Sequence, residues 1–300
     1  MIYHKQTIGK IFVTLALTAF LTANMLESTA NASVYVVDDA GNTVALQVPA
    51  KRIVSLAPSL TELTFAAGAG AHLVAVSAHS DFPMAANKLP QVADFSGVAL
   101  EALLVLKPDL VVAWKSGNRE KDLQRIRELG IPVYAAEVVL MSDVPRALRQ
   151  IGILAGTTEA AELAASAFAA RILSLQQANK SKPKISVFFE LGNLPLMTMN
   201  RAHAISEAIT LCGGINIFAD APTLVFTPSR EALVRLQPQA ILFAGKNNQA
   251  VHRYDGLSAA AESRMYGIDA DTILRQGPRF IDGVGEVCDA LDRARARIQK

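Results

Sequence analysis

Between Thr158 and about Asn179 the chain runs TEAAELAASAFAARILSLQQAN, with no residue that breaks a helix. Ala164, Phe168, Ile172 and Leu175 recur along one face at helical spacing. Thr158 is placed to cap the start, and Lys182-Pro183 stops the run. A helix of that length is a rod of roughly 33 Å, longer than most helices inside a single lobe. On either side of it the sequence alternates short β-branched runs with helical periodicity. Such alternation points to parallel sheets in an α/β fold. The reading is therefore two Rossmann-like lobes, 33–157 and 182–300, joined by one long rigid helix over 158–181. The natural ligand site is the cleft between the lobes.

Before the rod, RIVSL (52–56), LVAVS (73–77), LVVAW (110–114) and IPVYAA (131–136) read as strands. Ser59-x-x-Glu62 has the spacing of a capping box for the first helix, which Gly68 and Gly70 end. After the rod come ISVFFEL, a helix from about His203, AILFAG and a C-terminal helix. An internal repeat supports the division. Glu101-Ala-Leu-x-x-Leu-x-Pro108 returns as Glu231-Ala-Leu-x-x-Leu-x-Pro238, each copy leading into an apolar strand. Ser229 is placed to cap the second copy, so Glu231 falls in a first helical turn, where the helix dipole favours a carboxylate.

The N-terminus reads as an export signal over 1–32. Lys5 and Lys10 precede the apolar stretch Ile11–Ala23, which is short for a membrane span, and Ala30-Asn31-Ala32 fits a small-x-small cleavage site. An uncleaved anchor is the alternative. Cleavage would start the mature chain near Ser33 and place it in the periplasm, with no membrane span of its own. Export bears on the two cysteines, Cys212 and Cys288. Two thiols in an oxidising compartment most often pair, and buried free thiols are the alternative.

With 29 basic and 27 acidic residues and no run of either sign, the chain lacks the basic stripe of a nucleic-acid binder. It contains no G-x-S-x-G elbow, no phosphate-binding G-x-x-x-x-G-K and no H-E-x-x-H, so no catalytic site is assigned and the chain is read as non-enzymatic. The loops after strands carry His79, Phe82, Phe95, Trp114, Asp271 and Arg275. Trp114, the single tryptophan, suits a flat apolar ligand at a strand end or, alternatively, closes a core.

SLAPSLTELTFAAGAG, SAHSDFP, LPQVADFSG, LEALLVLKPDLVVAWKSGN, LCGGINIFAD, PSREAL and GPRF…VCDAL together resemble the periplasmic cobalamin-binding proteins of ATP-binding-cassette importers. The resemblance runs from about Arg52 to Leu291. It implies a corrinoid in the cleft, little hinge closure, and delivery to an inner-membrane permease dimer with its ATPase subunits. It implies that Trp114, Asp271 and Arg275 contact the ligand, that Cys212 pairs with Cys288, and that Glu101 and Glu231 meet permease arginines. The expected protein is a monomer with no cofactor and with cobalamin as cargo. Three positions depart from the family pattern: His79 stands in place of Tyr, Phe95 in place of Trp, and Trp is missing around Val225-Phe226. Haem or a ferric siderophore on the same scaffold is the alternative, with His79 as a possible axial ligand but no resident metal expected. An exported hydrolase is a more distant one.

Overall fold

The computed structural model describes residues 34–193, 195–245, 254 and 256–299. The expected export signal lies outside them. In chain order the first half comprises β1 (Val34–Val37), β2 (Thr43–Leu46), β3 (Ile53–Ser55), α1 (Pro58–Thr64), β4 (Leu73–Ser77), β5 (Gln91–Asp94), β6 (Gly97–Val98), α2 (Leu100–Val105), β7 (Leu110–Trp114), α3 (Glu120–Glu128), β8 (Val133–Ala136) and α4 (Asp143–Ala155). Then come α5 (Thr158–Asn179), β9 (Ile185–Glu190), β10 (Gly192–Asn193), β11 (Leu196–Met199), α6 (Ala204–Leu211), β12 (Gly214–Asn216), β13 (Val225–Phe226), α7 (Arg230–Leu236), β14 (Ala240–Ala244), α8 (Ser258–Ala261), β15 (Met265–Ile268), α9 (Ala270–Ile273) and α10 (Phe280–Ile298).

Two sheets organise these elements. The first has the order β6-β5-β4-β3-β7-β8, parallel except for its edge strand β6. The second, β12-β9-β14-β15, is parallel throughout. Sheets of this kind are covered on both faces, so their strands read as continuous apolar runs. Accordingly Ile53–Ser55, Leu110–Ala113 and Val133–Ala136 are buried residue after residue, as are Ala240–Phe243. Each sheet grows outward in both directions from its first strand, β3 or β9. The reversal leaves a crevice at the strands' C-terminal ends, between β3 and β7 and between β9 and β14.

The expected rod is α5. It ends at Asn179, two residues short of the expected 181, because Lys180 and Ser181 already turn toward Pro183. Its buried side chains are Ala161, Ala165, Phe168 and Asn179, while Ala164, Ile172 and Leu175 pack half-buried on the same core. That core is continuous, joining Ile53 and Val112 of one sheet to Val187 and Leu242 of the other. The close approach of α4 to α5 depends on Gly152, where a Cβ would overlap the Ala161 side chain. Neither expected threonine or serine cap forms at α1 or α5. Ala57 and Thr157 hold the N-cap positions without a side-chain bond, and Pro58 starts α1 with a φ already suited to a helix.

The repeat extends to backbone geometry. Leu103 and Leu233 are both buried, Pro108 and Pro238 likewise, and the residues before the prolines, Lys107 and Gln237, share left-handed φ values of 47° and 40°. Ser229 caps α7 by accepting from the Ala232 amide, as expected, whereas Ala99 begins α2 without a cap.

Cys212 and Cys288 form a disulfide with their Cα atoms 4.8 Å apart, linking the end of α6 to α10. A bridge across 76 residues lowers the entropy of the unfolded chain by about 4 kcal/mol at most. α6 itself is capped by His203, whose Nδ1 accepts from the Ile205 amide at 3.1 Å. Burial lowers the His203 pKa to about 4, so the folded chain holds it neutral while an unfolded chain protonates it near 6.5. Stability from this residue is therefore complete above pH 6.5 and is lost as pH falls toward 4. Denaturant titrations at pH 7 and pH 4.5 should show wild type losing about 2 kcal/mol more than His203→Asn. Equal losses would exclude His203 as the source.

Candidate functional site

The loop after β3 and the ends of β7 and β8 form one wall of a cavity of about 210 Å³, and the segment after α9 forms the other. Ala57, Pro58, Ser59, Leu60, Trp114, Ala136 and Val138 line the first side, with Leu274, Arg275 and Gln276 opposite. The cavity thus sits at the switch point of the first sheet and faces residues that follow the second.

Trp114 ends β7 and is 43% exposed, so it is not a core residue. Its indole N–H donates to Glu137 Oε1 at 3.1 Å, and Ser116 Oγ donates to the same oxygen at 2.9 Å. Asn118 Oδ1 accepts from the Trp114 amide, and a Cβ at Gly117 would overlap the indole ring. The tight W-K-S-G-N turn therefore holds the ring in place while part of it remains exposed on the cavity wall.

A cluster of charges spans the two walls. Glu62 on α1 is buried, its side chain only 2% exposed, and it accepts two bonds from Arg279: Nε to Oε2 at 2.9 Å and Nη2 to Oε1 at 2.6 Å. Arg275 Nη1 reaches Glu62 Oε1 at 3.5 Å and donates to Asp81 Oδ1 at 2.6 Å, while its Nη2 pairs with Asp271 at 2.9 Å. The Arg279 guanidinium also lies 3.9 Å over the Phe82 ring centroid. The bond from Arg275 holds the Asp81 carboxyl below its usual range. Burial opposes the charge on Arg275, yet the bond from Asp81 and the surrounding carboxylates raise its pKa overall.

The sequence pointed to Glu62 as a capping-box residue, and the structure corrects this. Every side chain of α1 from Leu60 to Thr64 is buried, so the one charge on the helix must be paired inside the protein. That lone glutamate in LTELTF was the available signal. Asp81, Arg279 and Glu137 also escaped sequence reasoning.

Of the residues singled out in the sequence, Trp114 and Arg275 line the cavity, and Phe82 and Asp271 adjoin it through the two arginines. His79, exposed with a left-handed φ of 63°, and Phe95, 99% exposed, lie on loops after β4 and β5 but do not line it. Phe226 lies in β13 of a small antiparallel sheet, packed edge-to-face on Phe218 at 5.5 Å. Glu101 and Glu231 are exposed in the first turns of α2 and α7, away from the cavity lining. Among the described residues there is no group of three His, Cys, Asp or Glu side chains that could hold a metal, and no helix long and apolar enough to cross a membrane.

Two mostly parallel sheets, with a cavity at the switch point of the first facing residues that follow the second, form the frame of a known family of binding proteins. The chain belongs to the periplasmic binding protein family, whose model matches residues 53–272. It is 36% identical over 254 residues to the vitamin B12-binding protein of Pectobacterium atrosepticum, covering 83% of this chain and 91% of that one. Its structure resembles that of the periplasmic vitamin B12-binding protein BtuF of Vibrio cholerae, with a TM-score of 0.76 at 34% identity, covering 82% and 98% of the two chains. The periplasmic haem-binding protein RhuT of Roseiflexus sp. RS-1 gives 0.71 at 26% identity, covering 81% and 98%.

Breaking the buried pair by Glu62→Ala leaves Arg279 without its carboxylate and should lower unfolding free energy by about 3 kcal/mol. Urea denaturation measures this. A change below about 0.5 kcal/mol would mean the pair behaves as a surface ion pair.

Proposed function

We propose that this chain is a periplasmic carrier that captures cobalamin in the cleft and hands it to the permease dimer of an ATP-binding-cassette importer. The observation that carries the reading is the supported, exposed face of Trp114 opposite Arg275, in a chain so similar to vitamin B12-binding proteins. Removal of the signal over 1–32 would release it as a monomer with lobes 33–157 and 182–300 around the connecting helix. Trp114 would offer its ring to the corrin, and Asp271 and Arg275 would bond the amide periphery of the ligand. His79, Phe82, Phe95 and Phe226 would complete the rim. The carrier does no chemistry on its cargo.

Haem is the second reading, favoured by the haem-binding neighbour and by an exposed His79. The cleft charges weigh against it. Glu62, Asp81 and Asp271 face Arg275 and Arg279, a cluster with one net negative charge. Haem would bring two carboxylates to that cluster, whereas the side chains of a corrinoid end mostly in neutral amides.

Calorimetry should give one cobalamin per chain, with weaker binding by Trp114→Ala, since a lost aromatic contact is worth on the order of 1 kcal/mol. Absence of binding by wild type would reject the ligand.

Glu101 and Glu231 would dock the carrier. Each lies in the first turn of a short helix, one per sheet, and Ser229 together with the residue's own backbone amide holds the Glu231 carboxyl below its usual range, the amide first. Leu104 and Val234, one turn further along each helix, are both 40% exposed, so each point combines a charge with an apolar contact. Reversing both glutamates to Lys should abolish stimulation of the importer's ATPase while cobalamin affinity stays within about twofold. Normal stimulation would remove these residues from docking.

A further inference from the structure

Two arginines cross the cleft, and their surroundings differ. Arg279 is bound to a carboxylate that solvent barely reaches, and its guanidinium is capped by the Phe82 ring, so it is fixed. Arg275 lines the cavity, and its strongest contact is with Asp81, whose side chain is 51% exposed on the loop after β4. Asp271, its third partner, is exposed as well. An exposed carboxylate is cheaply rehydrated, whereas a buried one is not. Arg275 is thus held in the cleft by Glu62 and neutralised by partners that can let go.

We propose that Asp81 is a specificity-determining residue: it occupies the Arg275 guanidinium so that ligands bearing carboxylates are rejected and ligands with neutral acceptors are admitted. This rests on the reading of the cleft as a corrinoid site. A carboxylate ligand meets one net negative charge at the clamp and must displace Asp81 into its own neighbourhood, placing like charges together. A carbonyl of an amide meets no such repulsion and can approach Arg275 from the cavity with Asp81 still in place. Rejection of this kind is specificity obtained by repulsion rather than by an added contact.

Three features support the assignment. Asp81 is anchored from the side away from the cavity: the neighbouring Ser80 hydroxyl is buried and bonded to Thr61 Oγ1 at 3.0 Å and to Ser77 Oγ at 3.1 Å. These buried bonds tie the loop to α1 and to the end of β4. Thr61 precedes Glu62 on α1, so one hydroxyl network sets the positions of both carboxylates that face Arg275. Finally, Arg279 is fixed by its two bonds to buried Glu62, whereas the Asp81 and Asp271 partners of Arg275 are exposed, so Arg275 is the cation that an anionic ligand entering the cavity would compete for.

The test is calorimetric titration of wild type, Asp81→Asn and Asp81→Asn/Arg275→Gln with cobalamin and with haemin. Asparagine keeps the shape of the side chain and removes its charge, and the exposed position makes folding of the variant the expected result, checked by circular dichroism. Asp81→Ser serves as a second charge-free variant. Haemin should bind Asp81→Asn at least about tenfold more tightly than wild type, and the gain should vanish in the double variant, because it comes from the released guanidinium. Cobalamin affinity should change by less than about threefold between wild type and Asp81→Asn. Haemin affinity unchanged in both charge-free variants, or a gain that survives loss of Arg275, would overturn the proposal. Failure of wild type to bind cobalamin would overturn the ligand reading instead, while the haemin comparison would still decide the role of Asp81.

Discussion

A carboxylate with 2% of its side chain exposed is costly to bury without partners, and Glu62 has two, both arriving from the other side of the cleft. The bidentate bond to Arg279 fixes direction as well as distance, because a planar guanidinium fork meets a carboxylate in only a few ways. This contact ties the two cavity walls together across the cleft. α1 is short, begins on a proline and is buried along most of its length, so the glutamate is presented from a helix that has little freedom to turn. Residues that line the cavity, Pro58, Ser59 and Leu60, lie on the same helix. Its stabilising role and the shape of the site are one constraint.

The rest of the architecture brings groups to that point. Parallel strands aim their C-terminal ends the same way, so the loops after β3, β7 and β8 converge without any special device. Sheet order then decides which loops face the crevice: β3 lies centrally and β7 beside it, which places Ala57–Leu60 next to Trp114. α5 joins the halves by packing on a core shared with both, and the disulfide secures the helices behind the second sheet. The division of labour is spatial. Apolar packing sets the frame, and a few charges set the cleft.

Much of this was legible from residue patterns. Unbroken helical periodicity disclosed α5 to within two residues, and β-branched runs disclosed the sheet strands, because both signals are local. The tryptophan turn was visible as W-K-S-G-N, but its orientation depends on Glu137, which comes from the neighbouring strand's loop twenty-three residues later. The clamp was illegible for the same reason in a stronger form. Glu62 and Arg279 are separated by 217 positions, and no local rule distinguishes a glutamate that caps from one that is buried. Phe95 and Phe226 show the converse. Neither lines the cavity: Phe95 is exposed on the loop after β5 and Phe226 packs on Phe218, and no local pattern in the sequence fixes how far a loop residue stands from the cavity wall.

The repeat separates what folding requires from what it leaves over. Its first leucine, Leu103 or Leu233, is buried in each copy, and its prolines sit buried after left-handed residues where each helix must stop before a strand, so packing accounts for these positions. The glutamates at the head of each copy are exposed and take no part in the core. A first-turn carboxylate gains about 0.3–1 kcal/mol from the helix dipole, yet many residues are tolerated there and Asp or Ser would serve as well. Two copies that agree in an exposed position where folding is indifferent, and that also agree in exposing Leu104 and Val234, present the same small surface twice. A partner with two equivalent faces is what such a surface fits. Those glutamates belong to neither the cavity lining nor the Glu62 clamp, so under the docking proposed above cargo and partner would be recognised by different charges.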